Sequence, residues 1–387
     1  MPKIAPPVNP LGQKSFYYPS LDGLRFFAFL LVFLHHAFEG WQSSNPLANF
    51  FLIALEKNGW AGVDLFFVLS GFLITTLLIK ERQQYGEFKL KDFWIRRALR
   101  IWPLYYLALI MGFFIVPFIH THIFGFTPPA IDINQILNSQ LPLYLTFTGN
   151  WAVVAFNYPP FTNISHLWTI SLEEQFYVFW PAILFFCKDF KKSLTATIAL
   201  ILLAMAFRFF LATLGITHPG IYVDTFARLD TLSFGALLAI IFCYHPEKIR
   251  HIKKFFKLPI QLIILAALFF IFYKIFVFDP HLVRNVVFGY TLLAIFMVYF
   301  VLSALEVNTL FGKFLEQKPL VYLGKISYGL YVWHMLALEI TGMFLPQFKP
   351  LTGFALTVFF GIVSYKLYET RFLKLKLRFS RISSRPV

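Results

Sequence analysis

The chain has 387 residues, 58% hydrophobic and 14% charged, with 51 phenylalanines and a formal net charge of +15. No water-soluble core of this length buries so large an apolar fraction, so the composition excludes a soluble globular protein and reads as a polytopic membrane protein. Nor is the positive charge a nucleic-acid footprint: it sits in short segments on one side of the apolar runs, where anionic membrane lipids are the expected partner and nucleic acid is not.

Residues 1–20 are proline-rich and polar and read as a disordered cytoplasmic tail. Apolar runs near 18 residues or longer read as membrane-spanning helices. Ten are expected, at 21–40, 62–80, 101–119, 167–187, 194–214, 228–244, 259–278, 286–305, 323–343 and 351–369. The first is long and lacks a small-residue cleavage site, so it is expected to be retained as a helix. With the N-terminus inside, segment 80–100 alone holds seven Lys and Arg, whereas the outer segments together hold three, Lys57, Arg284 and Lys349. That asymmetry places both termini in the cytoplasm. The expected fold class is therefore all-α, a transmembrane helical bundle of about ten spans over 21–369 followed by a basic cytoplasmic tail, 370–387. In the outer segment 120–166, the stretch 141–156 is apolar but short. It fits a re-entrant or interfacial segment or an eleventh span; an eleventh span would put the C-terminus outside, against the charge pattern, so ten is preferred. Cys187 and Cys243 fall near inner span ends, where no disulfide is expected.

A charge deep in a span costs roughly 2.5–3.5 kcal/mol on insertion scales, so polar residues inside these runs are the informative ones. The first run, LDGLRFFAFLLVFLHHAF, carries Arg25, His35 and His36. At about 100° and 1.5 Å per residue, Arg25 and His36 lie about 20° apart around the helix and about 16 Å apart along it. His35 turns away from that face. Position alone also fits an interfacial anchor pair, with Arg25 snorkelling. The second run opens with Asp64 at its outer end, as a helix-dipole carboxylate or a site residue. Ser70 and Gly71 within it suit close helix packing.

Segment RRALRIWPLYYL places Arg96, Arg97 and Arg100 on neighbouring faces at the inner membrane edge. Such a cluster is a topology signal and lipid contact, or a forked grip on phosphates. In HLWTISLEEQFYVFWP, the spacing of His166, Glu173 and Tyr177 predicts one stripe entering the bilayer from outside, with Glu174 pointing elsewhere. Arg228 and Asp230 open the sixth run and are expected to pair with each other or with the carboxylates above. Ser327, Tyr331 and His334 share a face in the ninth, where His334 is a helix–helix hydrogen-bond partner or a site residue. The polar groups thus divide: His36, Asp64, His166, Glu173, Arg228 and Asp230 toward the outside, Arg25, Arg96, Arg97 and Arg100 inside, and His334 between. No metal is expected, because HExxH and ligand-spaced histidines are absent, and there is no Gly-rich phosphate loop or nucleophile elbow.

Six blocks, LDGLRFFAFLLVFLHHAF, GVDLFFVLSGFLITTLL, RRALRIWPLYYL, HLWTISLEEQFYVFWP, RLDTLSFGALLA and LGKISYGLYVWHML, occur in an order that resembles acyltransferase family 3, the integral-membrane O-acyltransferases. The resemblance runs through most of the chain. It implies ten core spans in a bacterial inner (plasma) membrane and transfer of an acyl group, usually acetyl, from cytoplasmic acyl-CoA to a hydroxyl of an extracytoplasmic acceptor. That acceptor is often a sugar of lipopolysaccharide, capsule or peptidoglycan. The family's Arg and His, separated by ten residues, map to Arg25 and His36, the pair that helical phase selects. Its arginine block maps to Arg96, Arg97 and Arg100, and its Trp-Ser-Glu-Tyr block maps loosely to Trp168, Ser171, Glu173 and Tyr177. The family's final Glu-x-Pro departs here to Glu369-Thr370-Arg371.

On that reading, Arg96, Arg97 and Arg100, helped by Arg25, hold the phosphates of acyl-CoA, a donor substrate, and no cofactor is bound. His36 acts as general base or forms an acyl-histidine, and Glu173 or Asp64 orients its imidazole. His166, Trp168, Tyr177, Arg228, Asp230, Tyr331 and His334 line the substrate path. The rival reading is a transporter or flippase for a glycolipid or small anion, whose intramembrane charges would line a route. Against it, no inverted repeat is visible and the arginine cluster suits a nucleotide-like phosphate donor.

Overall fold

The computed structural model describes residues 17–125, 133–160, 163–216, 218–251, 259–260, 263–264, 266–267 and 283–382. Among them the regular structure is entirely helical. The first half contains α1 (Pro19–Ala37), α2 (Pro46–Asn58), α3 (Ala61–Tyr85), α4 (Leu90–Ile110), α5 (Val116–His122), α6 (Ile133–Ser139), α7 (Leu141–Leu145), α8 (Gly149–Phe156) and α9 (Trp168–Phe186). The second contains α10 (Phe190–Thr213), α11 (Gly220–Val223), α12 (Thr225–Tyr244), α13 (Pro246–His251), α14 (Val283–Leu305), α15 (Leu310–Leu315), α16 (Lys318–Lys325), α17 (Ser327–Phe344), α18 (Lys349–Ser364) and α19 (Thr370–Lys376).

Local sequence explains the boundaries. Pro19 occupies the first turn of α1, where its missing N–H costs nothing. Asn45, Asp189 and Asp224 cap α2, α10 and α12 by accepting backbone N–H groups. Gly86 stops α3 at φ +81°, a left-handed conformation that favours glycine.

Among the described residues, seven helices are long and apolar enough to cross a membrane, the signature of a multi-pass integral membrane protein. They are α1, α3, α4 running through a π turn (Met111–Ile115) into α5, α10, α12, α14, and α18 running through a second π turn (Tyr365–Glu369) into α19. Helices α9 and α17, of 19 and 18 residues, are long enough but less apolar, because they carry the inward-facing Glu173, Glu174 and His334. The expected span 259–278 lies almost wholly outside the described residues.

Burial orders these helices. In its most apolar window α3 is 83% buried, against 28% for α10 and 22% for the last span, so α3 is the central post and the other two face lipid. Leu202, Phe209, Phe210 and Phe359 accordingly point outward. Helices α3 and α12 meet backbone to backbone: a Cβ on Gly71 would lie 2.0 Å from the Leu232 carbonyl, and one on Gly235 2.1 Å from that of Val68. Close approach through small residues drives helix association where lipid removes the hydrophobic drive.

Four details of that outline become concrete. The outer loop after the first span contains α2. The charged segment 80–100 carries α3 on to Tyr85 and enters α4 at Leu90, so only residues 86–89 are loop. Stretch 141–156 folds as α7 and α8; α8 has eight residues, about 12 Å of helix, so it is no eleventh span. The basic segment from residue 370 is helical through Lys376 and a 3₁₀ turn, Leu377–Phe379.

Candidate active site

A pocket enters the bundle beside the arginine cluster, between α1, α3, α4, α9 and α17. Arg97 and Arg100 line its inner part, with Arg25, Ser70, Glu173, Tyr177, Ser327 and Tyr331 also on its wall. Arg97 makes no hydrogen bond or ion pair among the described residues; its guanidinium lies over the rings of Phe93 and Tyr177, at 5.4 and 5.5 Å. Arg25 pairs with Asp22 at 3.2 Å, one turn earlier on the same helix. Arg96 differs from its neighbours: it is buried, bonds Glu81 at 3.0 Å and donates to the Phe379 carbonyl at 2.7 Å. Expected as one of three phosphate ligands, Arg96 instead spends its charge on the fold, because it points at α3 and the C-terminal segment.

Glu173 is also committed. Ser70 Oγ donates to one carboxylate oxygen at 2.8 Å and Tyr177 Oη to the other at 2.9 Å. Ser70 therefore faces the pocket, and Gly71 alone provides the close contact with α12. Trp102 Nε1 donates to Glu174 at 2.8 Å, so the neighbouring carboxylate points elsewhere, as helical phase requires.

Tyr331 joins this pocket to a histidine cluster on its outer side. Its hydroxyl meets Thr169 Oγ1 at 2.8 Å and the His166 carbonyl at 3.2 Å. Its ring centroid lies 5.0 Å from that of His166 and 5.5 Å from that of His334. His334 is itself 4.7 Å from His166 and 5.1 Å from His36. Three histidines from distant parts of the sequence thus share one place. The supposed stripe splits: Glu173 and Tyr177 face the pocket, whereas His166 precedes α9 in a 3₁₀ turn (Ser165–Leu167) and faces outward to His334. Trp168 packs edge-on against Phe67 and Tyr222, which supports the wall without lining it.

Carbonyl oxygens only accept, and this fixes the tautomers. His334 Nδ1 contacts the Tyr331 carbonyl and His36 Nδ1 lies 3.0 Å from the Val32 carbonyl, so both nitrogens carry hydrogen. His334 Nε2 then holds a lone pair 3.3 Å from His36 Nδ1, whose N–H it shares with Val32. The remaining nitrogen of His36, Nε2, is left with its lone pair available. A base whose far nitrogen is held in this way is the arrangement of an oriented general base. The orienting partner is His334. Neither Asp64 nor Glu173 hydrogen-bonds a histidine: Asp64 is paired with Arg228, fully buried. Both nitrogens of His166 are buried, with no hydrogen-bond partner among the described residues. His35, expected to turn away, engages the Glu56 carbonyl of α2 through Nδ1, yet its ring stays 4.8 Å from that of His36, so it flanks the cluster. Among the described residues no group of three His, Cys, Asp or Glu is placed to hold a metal ion.

The acid–base pairs at the outer end of α12 are crossed. Arg228 pairs with Asp64 and lies 4.2 Å above the Tyr290 ring, while Asp230 takes a two-pronged bond from Arg208, at 2.9 and 2.7 Å. All four side chains are fully buried and none lines the pocket, so Arg228 and Asp230 brace the helices rather than the substrate path. Arg208 was missed in the sequence. Its signal was there, a lone arginine deep in the apolar run of α10, a position that demands a partner.

A family model described as an acyltransferase domain matches residues 18–368, nearly the whole chain. The chain belongs to acyltransferase family 3. Similar curated proteins are a Staphylococcus aureus (strain COL) protein provisionally named an O-acetyltransferase and O-acetyltransferase OatA of S. aureus (strain NCTC 8325 / PS 47). The first is 29% identical over 381 residues, covering 94% of this chain and 58% of the relative. OatA is 28% identical over 374 residues, covering 92% and 57%. The chain thus spans little more than half the length of these relatives. No solved structure matches it. Every residue of the pocket and the histidine cluster falls inside the acyltransferase match, whereas α19 and the turn after it lie beyond it.

Proposed function

We propose that the protein is a membrane O-acyltransferase. It crosses the bilayer ten times with both termini in the cytoplasm, in a bacterial plasma membrane. It moves an acyl group, acetyl by the names of its relatives, from cytoplasmic acyl-CoA to a hydroxyl of an acceptor on the far side, a sugar of a cell-surface glycan. One observation carries this reading: a single pocket has unsatisfied cationic capacity at its inner end, in Arg97, and ends at Tyr331, against the oriented His36–His334 pair.

In the mechanism, Arg97 and Arg100 hold donor phosphates by charge-assisted bonds, with Arg25 deeper on the wall. The acyl chain reaches the histidines past Tyr331, which requires the Thr169–Tyr331 bond to open. His36 Nε2 takes the acceptor's hydroxyl proton as the oxygen attacks the thioester carbonyl carbon. The new C–O bond forms, the C–S bond breaks, and the imidazolium returns its proton to the leaving thiolate. His334 keeps His36 Nδ1–H engaged throughout, which holds the ring in the reactive tautomer and favours its cation.

The test is transfer of radiolabelled acetyl from acetyl-CoA to membrane glycan by the protein in native membranes. His36→Ala is expected to lower transfer about 10²–10⁴-fold, the usual worth of a positioned base. Wild-type transfer by a normally expressed His36→Ala protein would refute the assignment.

A further inference from the structure

Four histidines gather beyond Tyr331, and three of them have committed their hydrogen. A neutral imidazole carries one N–H and one lone pair. The N–H of His35 goes to the Glu56 carbonyl, that of His36 to the Val32 carbonyl and that of His334 to the Tyr331 carbonyl. The neighbouring hydroxyls are committed too. Thr169 and Tyr331 share one bond at 2.8 Å, and both reach the His166 carbonyl, at 3.0 and 3.2 Å.

His166 is the exception. It is 4% exposed, and neither ring nitrogen has a hydrogen-bond partner among the described residues. Its carbonyl is held by Thr169 and Tyr331, so the residue is fixed in place while its ring stays unsatisfied. The ring lies 4.7 Å from that of His334 and 5.0 Å from that of Tyr331, where the pocket ends. Trp333 Nε1 is also unpartnered, but Trp333 stands about 200° round α17 from Tyr331 and packs against Phe360. Within the cluster, among the described residues, the His166 N–H is therefore the one donor left uncommitted. A buried donor without an acceptor costs stability, and such groups in native folds mark chemistry or a missing partner.

Acyl transfer supplies the missing acceptor. When the attacking oxygen adds to the thioester carbonyl carbon, the carbonyl π pair moves onto its own oxygen, and negative charge develops there. His36 handles the protons of the hydroxyl and the leaving sulfur and has no N–H to spare for that oxygen. We infer that His166 donates its N–H to the thioester carbonyl oxygen and is the oxyanion donor of the transfer. The bond tightens as the tetrahedral intermediate forms, the proton stays on His166, and the electron pair returns to carbon as the C–S bond breaks. The inference rests on the acyl-transfer reading above and adds a second catalytic histidine.

The experiment compares acetyl-CoA with dithioacetyl-CoA, in which sulfur, a weak hydrogen-bond acceptor, replaces the carbonyl oxygen. Both carry a radiolabelled acyl group, and kcat is measured in native membranes. His166→Ala is expected to lower kcat with acetyl-CoA about 10²–10³-fold at unchanged KM, but by less than about tenfold with dithioacetyl-CoA. His36→Ala should penalise both donors alike. His166→Asn or His166→Gln, which returns an amide N–H near the position of Nδ1 or Nε2, should recover part of the acetyl-CoA rate. His166→Phe keeps a ring and discards the unsatisfied nitrogens, so its thermal midpoint in detergent should match or exceed that of wild type while transfer stays low. Equal penalties for the two donors in His166→Ala would make His166 a second base or a structural residue and overturn the inference. Wild-type kcat in His166→Ala does the same, as does a lowered midpoint in His166→Phe, which would show the nitrogens paired within the fold. Donor discrimination lost in Tyr331→Phe but kept in the His166 variants assigns the oxyanion to the Tyr331 hydroxyl and also overturns it. These results leave the reading of His36 standing, because His36→Ala reports on it separately; absence of any transfer from acetyl-CoA by wild type refutes the acyl-transfer reading itself.

Discussion

At the residue scale, His36 contacts a histidine that is 298 positions away in the sequence. Replacing His334 by alanine removes the acceptor for His36 Nδ1–H but leaves the Val32 carbonyl. The expected result is a kcat loss of roughly tenfold or more with an unchanged KM for acetyl-CoA, because no donor contact is lost. Steady-state kinetics at saturating acceptor would check it. A base must be neutral to act, so kcat should fall tenfold per pH unit on the acid side of the acting imidazole's pKa, and the residual rate of His36→Ala should lack that limb. Arg97→Ala makes the opposite split: KM for acetyl-CoA rises about tenfold with kcat little changed, if binding is rapid. Helical phase and the family resemblance both pointed to Arg25 and His36. The partner of His36 was not legible, since an imidazole's hydrogen bonds depend on what packs beside it. A carboxylate was the natural expectation, but Asp64 and Glu173 are held by Arg228, Ser70 and Tyr177.

At the scale of elements, two features bear on stability. Helices α3 and α12 touch at Gly71 and Gly235, where backbone stands where any Cβ would go. Gly71→Leu is therefore expected to force the helices apart and lower the thermal midpoint in detergent, whereas Ser70→Ala, one residue away, removes a hydrogen bond to Glu173 and should alter activity more than stability. The second feature is the crossed pairing of Arg208 with Asp230. Removing one partner strands a buried charge, so Arg208→Met should cost about 3–5 kcal/mol, and Arg208→Met with Asp230→Leu should recover much of it. Thermal unfolding of the purified variants would measure both. The sequence showed Asp230 and Arg228 as neighbours; which arginine each carboxylate chose depended on α10 and α3 being packed against α12.

At the scale of the whole molecule, Arg96, Arg97, Arg100 and the C-terminal segment lie at one end of the pocket and the histidines beyond the other, which on the proposed topology are the cytoplasmic and far sides. Acetyl-CoA should therefore support transfer in inverted vesicles and fail in sealed right-side-out vesicles, and free CoA should inhibit only from the arginine side. Transfer that is independent of vesicle orientation would contradict the proposed path. The distribution of Lys and Arg predicts this polarity from the sequence alone, because the energetic cost of moving cationic loops across a bilayer is a local property of each loop.

The sequence by itself determined the class and the approximate positions of most apolar helices, because hydropathy and length are summed along the chain. It also exposed the residues worth asking about, since each buried charge advertises its own cost. Only the tertiary structure decided which of those residues face each other. It gathered His36, His166 and His334, set Arg96 apart from Arg97 and Arg100, and paired Arg208 with Asp230. Helical phase relates residues on one helix; contacts between helices depend on how the helices rotate and approach, and that is fixed by packing across the bundle, as at Gly71 and Gly235.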